Sequence, residues 1–129
     1  MPLRLSLKPH ERVIIGGAVI RNGENRSEFL IENEVPLLRE TDILGPSDVH
    51  TACERIYLSL QLMYVDPDRR DEHQQTFARL VQDVVMAAPS LAGLLDTVLE
   101  QADRGRYYQA LKSAQTLLQR EKELINHVS

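Results

Sequence analysis

The chain has 129 residues, a formal net charge of −4 at pH 7, 43% hydrophobic and 26% charged residues, so its composition excludes wholesale disorder and favours one small domain or one domain with a satellite. It lacks the run of about twenty apolar residues that a membrane-spanning helix needs, and its start lacks a signal-peptide core, so we expect a soluble, cytoplasmic protein without membrane contact. Its single cysteine, Cys53, excludes an internal disulfide and a thiolate-rich zinc site.

The first forty residues predict a small antiparallel β unit. Apolar alternation and β-branched residues predict four strands, over residues 3–7, 12–15, 18–21 and 27–32. The dipeptides Gly16-Gly17 and Asn22-Gly23 are typical of tight hairpin turns. Such strands make a meander or a small barrel. Four strands carry few large apolar side chains, so the unit needs a partner, either the helical part or a second chain.

From Leu37 the apolar period becomes helical. Four amphipathic helices are predicted, beginning near residues 48–51, 71, 90 and 106. Thr51 and Glu54 match a capping box, and the first helix is apolar around much of its circumference, so we expect it to be central. The predicted fold class is therefore α+β: a β unit over residues 1–40, as a small antiparallel sheet or barrel, followed by a helical domain over 47–129 with a bundle of about four helices.

Motifs for catalysis or metal binding are absent from the sequence. The four histidines have no histidine within helical reach, and the cluster Asp66, Asp68 and Asp71 lacks the glycine and glutamate of a calcium loop. Cys53 lies in the apolar stripe of a predicted helix, where a cysteine is far more often a core residue than a nucleophile. We therefore predict no enzymatic activity, no metal and no cofactor.

Charge is distributed unevenly along the chain. Residues 1–27 hold five basic and two acidic side chains, whereas residues 41–129 hold nine basic and thirteen acidic ones. This predicts a mildly cationic β unit beside an acidic helical body, although ordinary solvated charge explains the same pattern.

The four tyrosines raise the question of base stacking, which needs exposed aromatic rings beside cations. Tyr57 and Tyr64 share the stripe of the first helix, so we predict that both lie in the core. Tyr107 and Tyr108 follow Arg104 and Arg106, and two adjacent helical residues cannot both face the core. Exposure of one of the two is therefore the alternative, and we favour packed rings with polar tips for this pair.

Segments along nearly the whole chain resemble the FlbT family of flagellum biosynthesis repressors. They are Leu5-Ser-Leu-Lys-Pro9, Gly17-Ala-Val-Ile-Arg-Asn-Gly23, Glu32-Asn33-Glu34, Leu38-Arg39-Glu40 with Asp42-Ile43-Leu44, Arg55-Ile-Tyr57, Gln61-Leu-Met-Tyr-Val-Asp-Pro67 and Gly105-Arg-Tyr-Tyr-Gln-Ala-Leu-Lys112. None is a catalytic signature, and their order and spacing together carry the resemblance. The tail after about Leu118 matches least clearly.

The resemblance implies post-transcriptional control of bacterial flagellum biogenesis. Members of the family associate with the 5′ untranslated leader of flagellin mRNA, lower its translation and stability, and work alongside a small partner, FlaF, although some members favour flagellin expression. If this chain binds RNA, we expect the cationic strands to contact it. The predicted RNA-binding residues are Arg4, Lys8, Arg12, Arg21, Asn22 and Arg26.

Two further expectations concern partners. The few apolar residues of the β unit favour a homodimer formed through its strands. The alternative function is a protein-binding adaptor or chaperone-like factor that engages flagellin or FlaF and affects the mRNA indirectly. Leu58 and Leu62, which lie off the main stripe of the first helix, would line its binding groove.

Overall fold

The computed structural model describes residues 2–128, with the side chains of His127 and Val128 outside the description. The chain divides into two compact units, Met1–Ile43 and Leu44–Ser129. The first holds small antiparallel sheets and the second holds four helices, which confirms the predicted α+β class.

Five strands make up the first unit. They are β1 (Leu3–Leu7), β2 (Arg12–Ile15), β3 (Ala18–Arg21), β4 (Ser27–Ile31) and β5 (Leu37–Arg39). The first four confirm the predicted strands. The fifth was missed because its three residues are too few to reveal an alternating pattern. It is a strand because it pairs with β2, with Leu38 opposite Ile14.

The strands form two sheets rather than one meander. β1 pairs antiparallel with β4, and a second sheet has the order β3-β2-β5. The chain passes from the first sheet to the second at His10, which has φ 63°. Side chains from both sheets share one core, made by Leu5, Leu7 and Val13 with Ile15, Ile31 and Leu37 packed against it.

The hairpin between β2 and β3 turns at Gly16 and Gly17, as predicted. Both residues have positive φ, 57° and 88°. A two-residue turn that matches the twist of its strands requires positive φ at both positions, which glycine adopts without steric cost.

Four helices make up the second unit. They are α1 (Ala52–Val65), α2 (Arg70–Ala87), α3 (Ala92–Asp103) and α4 (Tyr107–Val128). A 3₁₀ turn with proline at its first position precedes α2 and another precedes α3. α1 packs against both α2 and α4, and α3 packs against α4, which confirms that α1 is central. None of the helices within residues 2–128 is long and apolar enough to cross a membrane.

The buried face of α4 differs from the predicted one. Leu117 is fully buried, Leu118 is half-buried and Ile125 is 52% exposed. The helical spacing of Leu111, Ala114, Leu118, Ile125 and Val128 predicts that they share the buried face of α4. Leu111 and Ala114 are buried as predicted, whereas Ile125 is exposed, and the side chain of Val128 lies outside the description.

Candidate nucleic-acid interface

Two of the predicted RNA-binding residues meet across the β2–β3 hairpin, where Arg12 lies opposite Arg21. The Nε and backbone N–H of Arg12 donate to Oε1 of Glu40 at 3.3 and 3.2 Å. Arg21 donates from Nη1 to the carbonyl of His10 at 3.4 Å. Like charges directly opposite each other in a sheet repel, and Glu40 relieves that repulsion. A phosphate at Arg12 would have to compete with this carboxylate, whereas Arg21 has no acidic partner among residues 2–128.

A second group of cations surrounds Ser6 in the middle of β1. Arg26 donates to the Ser6 hydroxyl at 3.3 Å, and Arg39 donates to the Ser6 carbonyl at 2.9 Å. Arg4 is exposed two residues before Ser6, on the same face of β1. Glu28, opposite Ser6 on β4, is the acidic neighbour of this group. Sequence reasoning missed Arg39 because it belongs to the strand that was not predicted.

Asn22 does not present its side chain to a ligand. It is 8% exposed, and its Nδ2 donates to the carbonyls of Leu7, Lys8 and Asn25 at 3.2, 2.8 and 3.0 Å. Its Oδ1 accepts from the hydroxyl of Ser27 at 3.0 Å. The prediction that the Asn22 side chain contacts RNA is therefore corrected: the buried amide joins the end of β1 to the loop before β4.

Lys8, by contrast, is exposed. Its side chain has no hydrogen bond or ion pair with any described residue, and its backbone N–H donates to Oε1 of Glu11 at 2.8 Å. The same lack of a described partner holds for the Arg4 side chain. These two cations are therefore the most available of the predicted set.

The charge of the β unit also needs correction. The excess of basic residues holds for residues 1–27, but residues 28–43 add five acidic side chains and one basic one. The whole unit contains six basic residues, Arg4, Lys8, Arg12, Arg21, Arg26 and Arg39, and seven acidic residues, Glu11, Glu24, Glu28, Glu32, Glu34, Glu40 and Asp42. Its cations therefore act as local groups on strand faces and not as a uniformly positive unit.

Aromatic rings and cations meet on the helical unit, at the end of α1 and the start of α4. The rings of Tyr64 and Tyr108 lie 6.4 Å apart at 50°. Arg70 lies over the Tyr107 ring at 4.9 Å, and Lys112 lies over the Tyr108 ring at 5.3 Å. Tyr108 is 43% exposed, more than in the packed position that we favoured, although its ring contacts Tyr64 and Lys112. Tyr57 is buried as predicted, whereas Tyr64 is half-buried.

An apolar groove lies between α1 and α2. Leu58, Leu62 and Leu80 line an open space of about 310 Å³, with Arg55 and Arg79 among its other lining residues. The groove contains the two leucines that sequence analysis singled out.

The chemistry of Cys53 is limited by its surroundings. The side chain is fully buried, and its pKa is raised to about 12 by burial and by the nearby Glu121 and Glu54 carboxylates. The thiol therefore stays protonated near neutral pH and is a poor nucleophile. Among the side chains of residues 2–126, no group of three or more histidine, cysteine, aspartate or glutamate residues is placed to hold a metal ion.

The fold and these surfaces define a small α+β protein with exposed cations on its strands and an apolar groove between two helices. The model of the family described as flagellar protein FlbT matches residues 3–125. The chain belongs to the FlbT family.

The sequence similarity to individual relatives also covers nearly the whole chain. The chain is 42% identical over 125 residues to a protein of Bradyrhizobium diazoefficiens named probable flagellum biosynthesis repressor protein FlbT 1, covering 96% of this chain and 85% of the relative. It is 37% identical over 126 residues to the probable flagellum biosynthesis repressor protein FlbT of Rhodopseudomonas palustris, covering 98% and 99%. It is 33% identical over 131 residues to the flagellum biosynthesis repressor protein FlbT of Caulobacter vibrioides, covering 100% and 93%. No solved structure matches the chain.

Proposed function

We propose that this protein is a post-transcriptional repressor of flagellin synthesis. It associates in the cytoplasm with the 5′ untranslated leader of flagellin mRNA, lowers the translation and stability of that message, and carries out no catalysis. The observation that carries the proposal is the full-length similarity to proteins named flagellum biosynthesis repressors. The exposed cations of the β unit provide contacts that an RNA backbone requires.

Arg4 and Lys8 are the cations we expect to contribute most to RNA binding. Both are exposed, and neither side chain forms an ion pair with an acidic residue among the residues that the structure describes. Arg26 contributes next, because its described partner is the neutral hydroxyl of Ser6. Arg12 contributes least, because Glu40 already holds its guanidinium. Asn22 acts indirectly, by fixing the end of β1 that carries Lys8.

The binding should depend on salt. Each phosphate contact to a single strand contributes about −0.7 to the slope of log affinity against log salt. Three or four contacts therefore predict a slope of roughly −2 to −3.

The test is a titration of the purified protein against a labelled flagellin leader, with a scrambled RNA of the same length as control. We expect selective, salt-dependent binding by the wild type and a large loss in the double variant Arg4→Glu, Lys8→Glu. The matched control is Arg120→Glu, Lys122→Glu, which changes net charge equally on exposed positions of α4. Equal binding to both RNAs, or equal losses in both double variants, would overturn the proposal.

A second candidate function is supported by the groove between α1 and α2. Its leucines offer an apolar floor and its arginines favour acidic residues, so a partner helix with apolar and acidic faces is the fitting ligand. Under this proposal the protein is an adaptor for flagellin or FlaF, and its effect on the message is indirect. Leu62→Asp should then abolish binding to that partner while leaving RNA titrations unchanged. Partner binding should also survive high salt, whereas RNA binding should not.

A homodimer through the β unit is the further proposal on partners. β3 is an edge strand in which all four residues are exposed, with Val19 at 67%. Exposed, apolar edge strands are templates for pairing with another chain. We expect light scattering to give the mass of a dimer for the wild type and of a monomer for Val19→Lys. A monomeric wild type at high concentration would contradict this.

A further inference from the structure

The end of the helical unit where α4 begins holds a pocket that sequence analysis did not assign. It has a volume of about 320 Å³ and is open to solvent. Its lining residues are Tyr64, Gly105, Arg106, Tyr107, Tyr108 and Gln109. We infer that this pocket binds an unpaired nucleobase of single-stranded RNA, with the ring of Tyr108 as the stacking surface. The inference rests on the proposed function and adds a site outside the β unit.

Tyr108 has the properties of a stacking platform. The residue is 43% exposed at the start of α4. Tyr64 and Lys112 both contact the ring, at 6.4 Å between the two ring centroids and 5.3 Å from the Lys112 Nζ to the Tyr108 centroid. The ring is therefore exposed, and its neighbours restrict its motion. A base that stacks on it causes little further loss of side-chain conformational entropy.

Cationic side chains lie in and beside the pocket, and Arg106 is one of its lining residues. Arg106 is exposed and, within residues 2–128, has no side-chain hydrogen bond or ion pair. Arg104 is paired with Glu100 at 3.1 Å, and Arg70 lies over Tyr107. The first turn of α4 contains no acidic residue, so a phosphate there would meet no carboxylate from that turn. Arg106 is the side chain we expect to contact the phosphate next to the stacked base.

The chemistry of the lining favours a base over an apolar peptide. Three of the six lining residues are tyrosines and one is an arginine, and none is aliphatic. Aromatic rings beside cations are the features that bind single strands without strict sequence preference, because every base has a π face. An apolar helix would find better packing against the leucines of the α1–α2 groove.

Titration of the flagellin leader against Tyr108 variants tests the inference. Loss of one stacked base weakens binding by about tenfold, so we expect that loss for Tyr108→Ala and near-normal affinity for Tyr108→Phe. The salt slope should stay unchanged in Tyr108→Ala, because a stacking contact releases no counterions. Met86→Ala, at a 77% exposed apolar position of α2, is the matched control.

A second measurement reports on the pocket directly. The chain contains no tryptophan, so Tyr108→Trp introduces one reporter. We expect its fluorescence to be quenched by the leader RNA and by oligouridine, and a Met86→Trp reporter to remain unchanged. Quenching by flagellin protein but not by RNA would overturn the inference and assign the pocket to a protein partner.

The RNA titrations distinguish a failure of the pocket inference from a failure of the proposed function. If the wild type binds the leader but Tyr108→Ala binds it equally well, the pocket inference is wrong and the function stands. If the wild type binds no RNA at all, the proposed function fails first, and the pocket inference fails with it.

Discussion

The carboxylate of Glu121 accepts a hydrogen bond from the backbone N–H of Cys53, with 3.0 Å between nitrogen and Oε2. The two residues are 68 positions apart and join the middle of α4 to the first turn of α1. N–H groups in the first turn of a helix have no partner within the helix, and the positive end of the helix dipole favours a carboxylate there. Glu121 therefore holds the central helix of the unit at its start.

Glu121→Ala should lower the free energy of unfolding by about 1.5–3 kcal/mol, the usual range for a hydrogen bond to a charged group. Glu121→Gln should lose less, because an amide oxygen still accepts the bond. Urea denaturation followed by circular dichroism measures both. Glu123→Ala, an exposed position on the same helix, is the control. Equal stability of the Glu121→Ala and Glu123→Ala variants would show that the bond contributes nothing.

The capping box at the same helix end makes stability depend on pH. Glu54 accepts from the backbone N–H groups of His50 and Thr51, and Glu54 N–H donates to the Thr51 hydroxyl. Chiefly because of the bond from His50, the pKa of Glu54 is lowered from its ordinary value of 4.5. A carboxylate with a lowered pKa stabilises the folded state above its unfolded pKa, and that contribution is lost as pH falls through the folded pKa.

Glu54→Gln should therefore reduce stability at pH 7, and the difference from wild type should shrink as the pH falls through the lowered pKa of Glu54. Thr51→Ala removes the other half of the box and should cost about 1 kcal/mol at neutral pH. Denaturant titrations at pH 7 and at the acidic limit provide both comparisons. A difference between Glu54→Gln and wild type that persists undiminished in acid would rule out ionisation as its origin.

Asn22 provides a stability test that also clarifies the RNA experiments. Asn22→Ala leaves buried backbone carbonyls without their donor and should cost about 2–3 kcal/mol. Asn22→Asp should cost more, because a carboxylate would face three carbonyl oxygens. Thermal melts of both variants, with exposed Asn33→Ala as control, measure the effect. If Asn22→Ala melted with the wild type yet failed to bind RNA, Asn22 would be a direct RNA contact after all.

Cys53 should be unreactive in the folded protein. Burial and two nearby carboxylates raise the pKa of its thiol to about 12, so almost no thiolate is present at pH 8. A maleimide reagent should label the chain only after denaturant is added, and the labelling rate should follow the unfolded population. Rapid labelling of the native protein at pH 8 would contradict the buried position.

Local signals predicted the elements, and long-range contacts explain what was missed. Pro67, Pro89 and Gly105 separate the helices, and each is read directly from the sequence. The pairing of Arg12 with Glu40 joins residues 28 positions apart, so counting charges along the chain overestimated the cationic surface. The dipeptide Asn22-Gly23 is typical of an exposed turn, but Asn22 is buried in the folded unit. Its amide binds backbone carbonyls that come together only when the strands pack.

The candidate site was also predictable only where the signal is local in sequence. Arg4 and Lys8 are exposed. Strand alternation implies this, because the two residues lie on the other face of the strand from the buried Leu5 and Leu7. The tyrosine pocket was not predictable, because it needs Tyr64 from α1 beside Tyr108 from α4. No periodicity within one helix carries that information.

The strand order implies a sequence of events during refolding. The β2–β3 hairpin closes a loop of only two residues, Gly16 and Gly17. The pairing of β1 with β4 closes the longer loop between Leu7 and Ser27, and the pairing of β2 with β5 closes the loop between Ile15 and Leu37. Closing longer loops costs more chain entropy, and folds with non-local pairings form more slowly than helices packed on their sequence neighbours. Within the β unit, we therefore expect the β2–β3 hairpin to close before β1 pairs with β4 and before β2 pairs with β5.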